Sequence, residues 1–583
     1  MKPVIGPQPS RFLPGDKAWS RVNDVVIMGV GLAVFYAVLT IARTWFRPVT
    51  PEAQVSLSPY SLPVYAAYSL LRIMVAYVFS LGFAVAYGYV AAYNKTAERI
   101  LLPALDILQS IPVLSFLPGV MLAMAAIFPH SQLGLELGSI LLIFTGQTWN
   151  IAFSFYSSLK SIPRELIEAA RINRFSAWQR FTSLELPYST IGLVWNSMMS
   201  VAGGWFFLMV CEMFPLGERQ IKLPGLGSYI QTAANKADAP AILWGLGAMV
   251  AVIVLLDQLV WRPVIAWADK FKFEEIESAS APGSAVLDLL RRSNIIGFVT
   301  DHALTPVSER LISFFAETSL ERPPEPPAPP RRVRPLTWLL AALVVAAAAY
   351  GVSKAAVMLV VLTRADLALI GRGAAATFLR VAAALIIGAA WTIPAGVMIG
   401  FSPRLARIAQ PLAQIAASIP ATGLFPVVLL ILIQNGLIRA GGNLGAASLL
   451  LMLLGTQWYI LFNVIAGAMA IPTDLKEAAS IFKFGAIDKW RLLILPGIFP
   501  YLITGIVTAA GGAWNASIVA EYMPFGDRVL STTGLGATIA ASTANFPLLL
   551  GSTVAMAAIV VTINRLVWRP LYRLAESRYK LGG

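Results

Sequence analysis

The sequence contains one cysteine, Cys211, and two histidines, His130 and His302. A single cysteine excludes an intrachain disulfide and a thiolate metal cluster. Two histidines far apart in the chain argue against a histidine metal site and a Ser-His-Asp triad, so we expect no metal site. The run G-x-x-x-x-G-K-[ST] is also absent. The chain therefore has no P-loop with which to hydrolyse ATP itself.

Charged residues are scarce. They make up 13% of the 583 residues, roughly half of the share usual in soluble domains, whereas apolar residues make up 57%. The mean hydropathy is +0.71. These values exclude a disordered protein, a disulfide scaffold and an ordinary soluble enzyme, and they indicate a chain solvated mostly by lipid.

Twelve apolar stretches are long enough to cross a bilayer, for which about 20 residues suffice. They lie near 24–45, 64–92, 101–128, 136–157, 189–212 and 240–261, and again near 337–360, 368–400, 409–436, 444–466, 498–521 and 545–567. Pro112 and Pro118 lie inside the third stretch, and Pro420 and Pro426 inside the ninth. We expect kinked helices there, because proline removes a backbone donor.

The net charge of +14 comes from basic residues that fall between the apolar stretches. Their positions place all of the basic loops on one side if both termini are cytoplasmic, as the positive-inside rule predicts. This pattern favours a membrane-embedded protein over one that binds nucleic acid. The first span lies too far inside the chain, and is too long, for a cleaved signal peptide.

A polar segment separates the two sets of spans. It includes the proline-rich run 322–331, which predicts an extended linker, and two runs with helical spacing, at 286–292 and 309–315. A passive tether and a docking role are equally compatible with it. We therefore divide the chain into a first transmembrane domain (1–262), a cytoplasmic linker (263–336) and a second transmembrane domain (337–583).

The two transmembrane halves are copies of one another. Arg72 matches Arg380 at an offset of 308 residues, and after one inserted residue Trp149 matches Trp458 at an offset of 309. Further matches at these offsets are Ser110-Ile-Pro112 with Ser418-Ile-Pro420, Glu212 with Glu521, and Gly225-Leu-Gly227 with Gly534-Leu-Gly536. Each copy contains six spans, so the copies share one orientation. We predict an all-α integral membrane protein with two parallel six-helix modules around a pseudo-two-fold axis along the membrane normal.

A loop of similar sequence joins the fourth and fifth span of each half, at residues 162–187 and 471–496; we call these the EAA loops. Each loop predicts a short helix that opens near a proline and carries a carboxylate followed by two alanines. A second segment places Trp178 and Phe181, or Ile487 and Trp490, on one apolar face. Such a duplicated helix pair indicates two equivalent surfaces for a partner protein; a helix lying on lipid headgroups is the alternative.

The EAA loops resemble the E-A-A-x-x-x-G-x(9)-I-x-L-P motif of ATP-binding-cassette importer permeases. The matching residues are Glu168, Ala169 and Ala170 with Leu186-Pro187, and Glu477, Ala478 and Ala479 with Leu495-Pro496. The resemblance implies that these loops are coupling helices seated on an ATPase subunit. Arg174 and Lys483 replace the motif glycine, which would allow a positive φ. We therefore expect the bend to be made elsewhere, through Asn173 in the first loop.

The wider pattern resembles the nitrate/sulfonate/taurine branch of these permeases, here as a tandem fusion of two. The resemblance implies a permease, without catalytic residues, in the bacterial inner membrane. The implied partners are two copies of a cytoplasmic ATPase subunit, which bind ATP and Mg, and a periplasmic or lipid-anchored substrate-binding protein. The implied substrate is a small anion such as nitrate, bicarbonate or a sulfonate.

Several polar residues lie at membrane depth and are candidates for the translocation pathway: Arg72, Arg380, Gln147, Thr148, Thr456, Gln457, Glu212 and Glu521. A buried charge costs about 2.5–3.5 kcal/mol at a helix centre, so each arginine requires a partner or water. The arginines either attract an anionic substrate or form structural bonds to carbonyls or to Glu212 and Glu521. The four uncharged residues either line the route or join helices.

A secondary transporter of the major-facilitator type is the alternative function, because it also has two parallel six-span halves. It would need a charged loop between the second and third spans and buried acids to carry protons. Residues 400–407 resemble such a loop only weakly. A membrane scaffold without transport activity would leave the duplicated EAA loops unexplained.

Overall fold

The computed structural model describes residues 55–129, 131–216, 219–271, 284–291, 335–436, 444–525 and 528–578, together with isolated positions within 23–45 and 293–310. We call residues 55–271 the first module and residues 335–578 the second module. The predicted first span, 24–45, is only partly described: residues 23–29 and the described positions between 32 and 45 are helical. The proline-rich run and the predicted helix at 309–315 also lie outside them, Arg310 excepted.

The first module consists of long helices joined by short elements. Its helices are α1 (Leu62–Tyr93), α2 (Lys95–Ser110), α3 (Leu117–Ile127), α4 (Leu133–Lys160), α5 (Arg164–Ile172), α6 (Ala177–Arg180), α7 (Leu186–Cys211), α8 (Leu226–Asn235), α9 (Ala239–Leu256) and α10 (Arg262–Ala268). The strands β1 (Met213–Leu216) and β2 (Arg219–Lys222) form an antiparallel hairpin between α7 and α8. In the linker, α11 (Ala285–Arg291) confirms part of the predicted helical run at 286–292.

The second module repeats this order of elements. Its helices are α12 (Pro335–Val360), α13 (Arg364–Phe401), α14 (Pro403–Ser418), α15 (Ala421–Gln434), α16 (Gly445–Ala470), α17 (Thr473–Ile481), α18 (Ala486–Asp488), α19 (Leu495–Ala520), α20 (Leu535–Ala541), α21 (Phe546–Ile563) and α22 (Arg569–Arg578). The hairpin of β3 (Tyr522–Phe525) and β4 (Arg528–Ser531) follows α19. The shared order extends to π-helical turns before α7 and α19 and after α9 and α21.

Local sequence signals determine where several helices begin. Asn94 ends α1 and accepts hydrogen bonds from the backbone N–H groups of Thr96 and Ala97, which caps α2. Ser402 ends α13 and caps α14 in the same way, through the N–H of Leu405. The chain thus breaks after one long helix and restarts at once at the equivalent place in both modules.

Among the residues that the structure describes, seven helical stretches are long and apolar enough to cross a membrane, or eight if α2 and α3 count as one bent span. The prediction of a helical protein with several membrane spans is confirmed. The number of candidate spans is lower than the twelve predicted. Among the remaining predicted spans, α4 carries Gln147 and Asn150 near its middle, and α15 has only 14 residues. The predicted kink is confirmed at Pro112, where α2 and α3 meet at 83°.

The expectation of an all-α fold is wrong in one respect, because each module contains a short hairpin. The hairpins have four-residue strands and follow directly on the carboxyl ends of α7 and α19. Such short strands leave no period-2 pattern that distinguishes them from the end of an apolar span. Their backbone hydrogen bonds are made within each pair, so the segment can lie close to apolar surroundings.

The two modules share an apolar core. Leu114, Leu117 and Met121 of the first module belong to the same buried cluster as Phe425 and Ile518 of the second. Three hydrogen bonds between described residues cross the boundary: the Leu114 N–H donates to Asn515 Oδ1 at 3.4 Å, the Thr553 hydroxyl donates to the Ser115 carbonyl at 3.1 Å, and the Thr422 hydroxyl donates to the Phe206 carbonyl at 3.4 Å. Helices α7 and α19 therefore lie where the modules meet.

Candidate functional site: paired loops and buried ion pairs

The EAA loops have the same backbone geometry in both modules. Helix α5 begins after Pro163 and α17 after Pro472, each at an extended residue that suits a helix start. Each short helix runs for nine residues, turns sharply, and leads through a brief helix and a π-helical turn into α7 or α19. The sequence predicted this helix–turn–helix arrangement, and the structure contains it twice.

The bend in each loop lies at the residue that replaces the motif glycine. Arg174 has φ of 50° and Lys483 has φ of 49°, the left-handed conformation that glycine adopts without strain. Hydrogen bonds close both turns in the same way: Phe175 N–H donates to Ala170 O at 3.0 Å, and Phe484 N–H donates to Ala479 O at 3.0 Å. These are Schellman motifs, which satisfy the free carbonyls at a helix end.

The prediction that Asn173 makes the first bend is wrong. Its φ is −80°, and its side chain instead donates a hydrogen bond to the Ala169 carbonyl at 2.8 Å. The motif geometry is therefore kept although the motif glycine is lost. A left-handed residue other than glycine costs roughly 1–2 kcal/mol, so this strain persists in both loops.

The EAA residues divide between a buried and an exposed side. Ala170 and Ala479 are buried, whereas Glu168 and Glu477 are exposed. Large apolar side chains are exposed around the same turns: Ile172 is 80% exposed and Phe482 is 73% exposed. An exposed carboxylate beside exposed apolar side chains forms a surface that suits a protein partner.

The second segment of each loop is only partly available to a partner. Phe181 packs against Tyr89 of α1, with ring centroids 5.6 Å apart, and against Trp178 at 5.9 Å. Trp490 packs on a buried cluster of the second module, whereas Ile487 is 72% exposed. The apolar face predicted from the spacing therefore serves mainly to fix the loop on its own module.

Arg72 is completely buried and lies between two carboxylates. It makes two parallel hydrogen bonds with Glu136: Nε donates to Oε2 at 2.5 Å and Nη2 donates to Oε1 at 2.7 Å. Its Nη1 donates to Glu212 Oε1 at 2.9 Å and to the Pro224 carbonyl at 2.7 Å. Paired charge-assisted bonds of this kind offset the cost of burying the guanidinium.

Glu212 connects Arg72 to the hairpin and to α8. Its carboxylate accepts hydrogen bonds from the Ser69 hydroxyl at 2.5 Å and from the Gly227 N–H at 2.6 Å. Its backbone carbonyl accepts from the Leu223 N–H at 2.8 Å, which closes the base of the hairpin. One side chain therefore joins α1, the end of α7, the hairpin and the start of α8.

The second module repeats most of this network. Arg380 Nη1 donates to Glu521 Oε1 at 2.8 Å, the Thr377 hydroxyl donates to the same carboxylate at 2.8 Å, and the Gly536 N–H donates to it at 2.9 Å. Arg380 Nη2 also donates to the Thr532 hydroxyl at 3.0 Å. The residues that are repeated in the sequence thus form the same hydrogen-bond network in both modules.

The networks differ at one position. Gly445 stands where the first module has Glu136, so Arg380 pairs with one carboxylate and Arg72 with two. Accordingly the Arg380 side chain is 17% exposed and that of Arg72 is 0% exposed. The sequence analysis missed Glu136. Its acidic side chain within an apolar span was the available signal.

The other four predicted pathway residues do not gather around one route. Gln147 and Thr148 are fully buried, and within the described residues neither amide atom of Gln147 nor the Thr148 hydroxyl has a hydrogen-bond partner. Thr456 is buried and donates to the Met452 carbonyl at 2.9 Å, whereas Gln457 is partly exposed. Their role in transport stays a prediction.

A cavity of about 110 Å³ lies between the modules. Residues of both modules line it, among them Leu117, Met209, Pro426, Ile518 and Met523. Its wall contains no charged side chain and none of the eight predicted pathway residues. The cavity is therefore uncharged and mostly apolar, and it lies at the ends of α7 and α19 that carry the hairpins.

Two stretches of the chain, residues 80–260 and 392–580, match the family described as binding-protein-dependent transport system inner membrane component. Together they cover more than half of the chain, and each contains one EAA loop and one buried glutamate, Glu212 or Glu521, whereas Arg72 and Arg380 lie shortly before the matched residues. The chain belongs to this family and contains its domain twice. It is therefore a multi-pass membrane protein, and this assignment does not favour the major-facilitator alternative.

Curated relatives include the nitrate import permease protein NrtB of Leptolyngbya laminosa, 27% identical over 152 residues, which are 26% of this chain and 51% of the relative. The bicarbonate transport system permease protein CmpB of Synechococcus elongatus is 28% identical over 151 residues, 26% of this chain and 51% of the relative. The chain thus spans about half the length of these relatives. A Bacillus subtilis protein assigned as the aliphatic sulfonates transport permease SsuC is 26% identical over 280 residues, 46% of this chain and 96% of its own length.

Proposed function

We propose that this chain forms the transmembrane pathway of an ATP-binding-cassette importer, with two permease halves fused in one polypeptide. Two copies of a cytoplasmic ATPase subunit bind ATP and Mg and drive the transport cycle. A periplasmic or lipid-anchored binding protein delivers the substrate. The chain contributes the route through the bacterial inner membrane and no catalytic residue.

The equivalent geometry of the two EAA loops carries this proposal. Each loop presents the exposed carboxylate of its EAA motif, Glu168 or Glu477, and six residues later a basic residue in the left-handed conformation, Arg174 or Lys483. A partner with two equivalent grooves would contact both loops in the same way. That requirement matches a dimer of ATPase subunits, which has two-fold symmetry.

A chain of contacts can transmit motion from the first loop into the membrane helices. Arg180 pairs with Glu185 at 2.5 Å, and the Tyr93 hydroxyl at the end of α1 donates to the same carboxylate at 2.5 Å. The guanidinium of Arg180 also lies over the Tyr93 ring at 4.7 Å. Displacement of the loop would therefore move α1 together with α7.

The contacts between the modules support a resting state that is closed on the periplasmic side. The modules meet near Phe206 and Asn515, toward the hairpin ends of α7 and α19. Nearer to the EAA loops, the side chains of Met199 and Thr508 are exposed. We infer twelve spans, cytoplasmic termini and a pseudo-two-fold axis from the repeat, the basic loops and this arrangement.

The proposed substrate is a small anion, as the names of the relatives suggest for those proteins. Arg72 and Arg380 hold the module together in this account, since their hydrogen bonds reach helix ends and carboxylates. To change a 1:99 equilibrium of two conformations to 99:1, ATP must favour one of them by roughly 5.5 kcal/mol. That energy comes from the difference in nucleotide affinity between the two states.

Co-purification of the ATPase tests this proposal. We expect the full chain to retain two ATPase subunits in detergent, and the double variant Glu168→Arg/Glu477→Arg to lose them. The conservative pair Glu168→Gln/Glu477→Gln is the control, because it keeps the side-chain size. Equal retention of the ATPase by the wild type and the arginine variant would contradict the proposal.

A further inference from the structure

The first module contains a polar groove whose lining residues are mostly replaced in the described part of the second module. Its volume is about 410 Å³, and it opens between α2, α4 and α7. The polar residues that the argument uses are Gln109, Asn150, Ser154, Ser158, Ser161 and Asn196. None of the residues that line this groove is charged. Phe153 is the one large apolar side chain among them.

The groove is organised by hydrogen bonds between its own side chains. Gln109 Nε2 donates to Asn150 Oδ1 at 3.1 Å, and Asn196 Nδ2 donates to Ser154 Oγ at 3.0 Å. The positions 150, 154, 158 and 161 recur at helical spacing along one face of α4. Because α4 rises by about 1.5 Å per residue, this stripe extends over roughly 16 Å.

The stripe begins at the EAA loop and leads into the membrane. Ser161 follows the last residue of α4 and lies two residues before Pro163, at which the loop helix starts. Moving an amide from water into hydrocarbon costs about 4–8 kcal/mol when it finds no hydrogen-bond partner. We therefore expect water to solvate the amides and hydroxyls of this groove that do not bond to one another, and to enter from the EAA-loop side, where the stripe begins.

The corresponding face of the second module has lost most of these groups. At the offset of 309 residues, Tyr459 stands for Asn150, Asn463 for Ser154, Gly467 for Ser158, Ala470 for Ser161 and Gly505 for Asn196. Gly467 and Gly505 lie against Tyr501 and Asn463, so this side is packed and not open. Among the described residues, the polar lining of the groove is thus a property of the first module.

We propose that this groove is a binding site for a small anion with several oxygen atoms, held by hydroxyl and amide donors of the first module. Neutral donors can solvate an anion without the tight capture that a buried cation would cause, and a transport site has to release its substrate. A volume of a few hundred cubic ångströms suits a small solute with its water. This inference rests on the proposed import function.

Cysteine labelling tests the groove directly, because Cys211 is buried and gives a low background. Ser154→Cys in the full chain, in inside-out membrane vesicles, should react with a charged maleimide in minutes. Phe79→Cys is the lipid-facing control, because Phe79 is 61% exposed on α1; it should react far more slowly. Asn463→Cys is the matched position of the second module.

Nitrate, bicarbonate and methanesulfonate are the probes, each compared with chloride at equal ionic strength. We expect at least one of them to slow labelling of Ser154→Cys and to leave Asn463→Cys unchanged. Equal labelling with all probes, or equal protection at both positions, would overturn the proposal. A rate for Ser154→Cys no faster than for Phe79→Cys would overturn it as well.

Uptake by the transporter with its ATPase and binding protein tests the groove site separately from the proposed import function. Replacing two polar side chains of the groove in Ser154→Ala/Asn196→Ala should raise the half-saturating anion concentration by about tenfold or more. If the wild type takes up the anion and the variant has the same half-saturating concentration, the groove is not the binding site. The proposed import function would still stand. Failure of the wild type to bind its ATPase would instead overturn the proposed function, and with it this site.

Discussion

At the scale of single residues, the buried arginines differ in how much of the structure depends on them. Arg72 satisfies two carboxylates and one carbonyl, whereas Arg380 satisfies one carboxylate and one hydroxyl. Removing one member of a buried pair leaves an uncompensated charge, which is more costly than the loss of an exposed pair.

Arg72→Leu should therefore destabilise the protein more than Arg380→Leu. We expect Arg72→Leu to lower the free energy of unfolding by about 3–5 kcal/mol, because it leaves the buried carboxylates of Glu136 and Glu212 without their cation. Arg380→Leu should cost less, because that site is partly solvated. The fraction of monodisperse protein after heating in detergent measures both. A stable, fully folded Arg72→Leu protein that only fails in uptake would instead support a role in binding substrate.

Gly225 and Gly534 are required by the same networks. A Cβ atom at either position would overlap the carboxylate of Glu212 or Glu521. Gly225→Ala should thus destabilise the protein by about 1–3 kcal/mol, as overpacking does. Gly203→Ala in α7 is the control, since a Cβ there meets no atom within 4 Å. Equal melting temperatures of the two variants would contradict this account of the network.

At the scale of elements, the EAA loops keep a turn that their sequences do not favour. Lys483→Gly should relieve the strain at φ of 49° and stabilise the end of α17 by about 1 kcal/mol. Lys483→Val should destabilise it, because a β-branched residue is excluded from this conformation. Amide hydrogen exchange in residues 473–481 is the measurement. Phe482→Gly is the control, since φ of −75° needs no glycine and the substitution should increase exchange.

The sequence alone was sufficient to predict the helices, the repeat and the EAA loops, because the signals for them lie in neighbouring residues. Apolar stretches of span length, the kink at Pro112 and the short helices after Pro163 and Pro472 all follow from neighbouring residues. The turn at Arg174 did not follow, because the surrounding hydrogen bonds impose a conformation that the residue itself disfavours. The contacts of Glu136 and the polar groove depend on the packing of α4 against other helices, which no local pattern reveals.

At the scale of the whole molecule, the account predicts the energy source of transport. Uptake of the anion into proteoliposomes that contain the chain, its ATPase and its binding protein should require ATP. Dissipation of the proton gradient should leave the uptake unchanged, because the buried acids Glu136, Glu212 and Glu521 are paired with Arg72 and Arg380. Uptake driven by a proton gradient without ATP would favour a secondary transporter.

The most direct test of the central claim is cross-linking of both EAA loops to the ATPase. With Glu168→Cys or Glu477→Cys in the full chain, a short thiol-specific cross-linker and native mass measurement give the stoichiometry of the complex. The account predicts that each loop becomes linked to a separate ATPase subunit, two per chain in the double variant. Linkage at neither loop, in a complex that still imports its substrate, would contradict it.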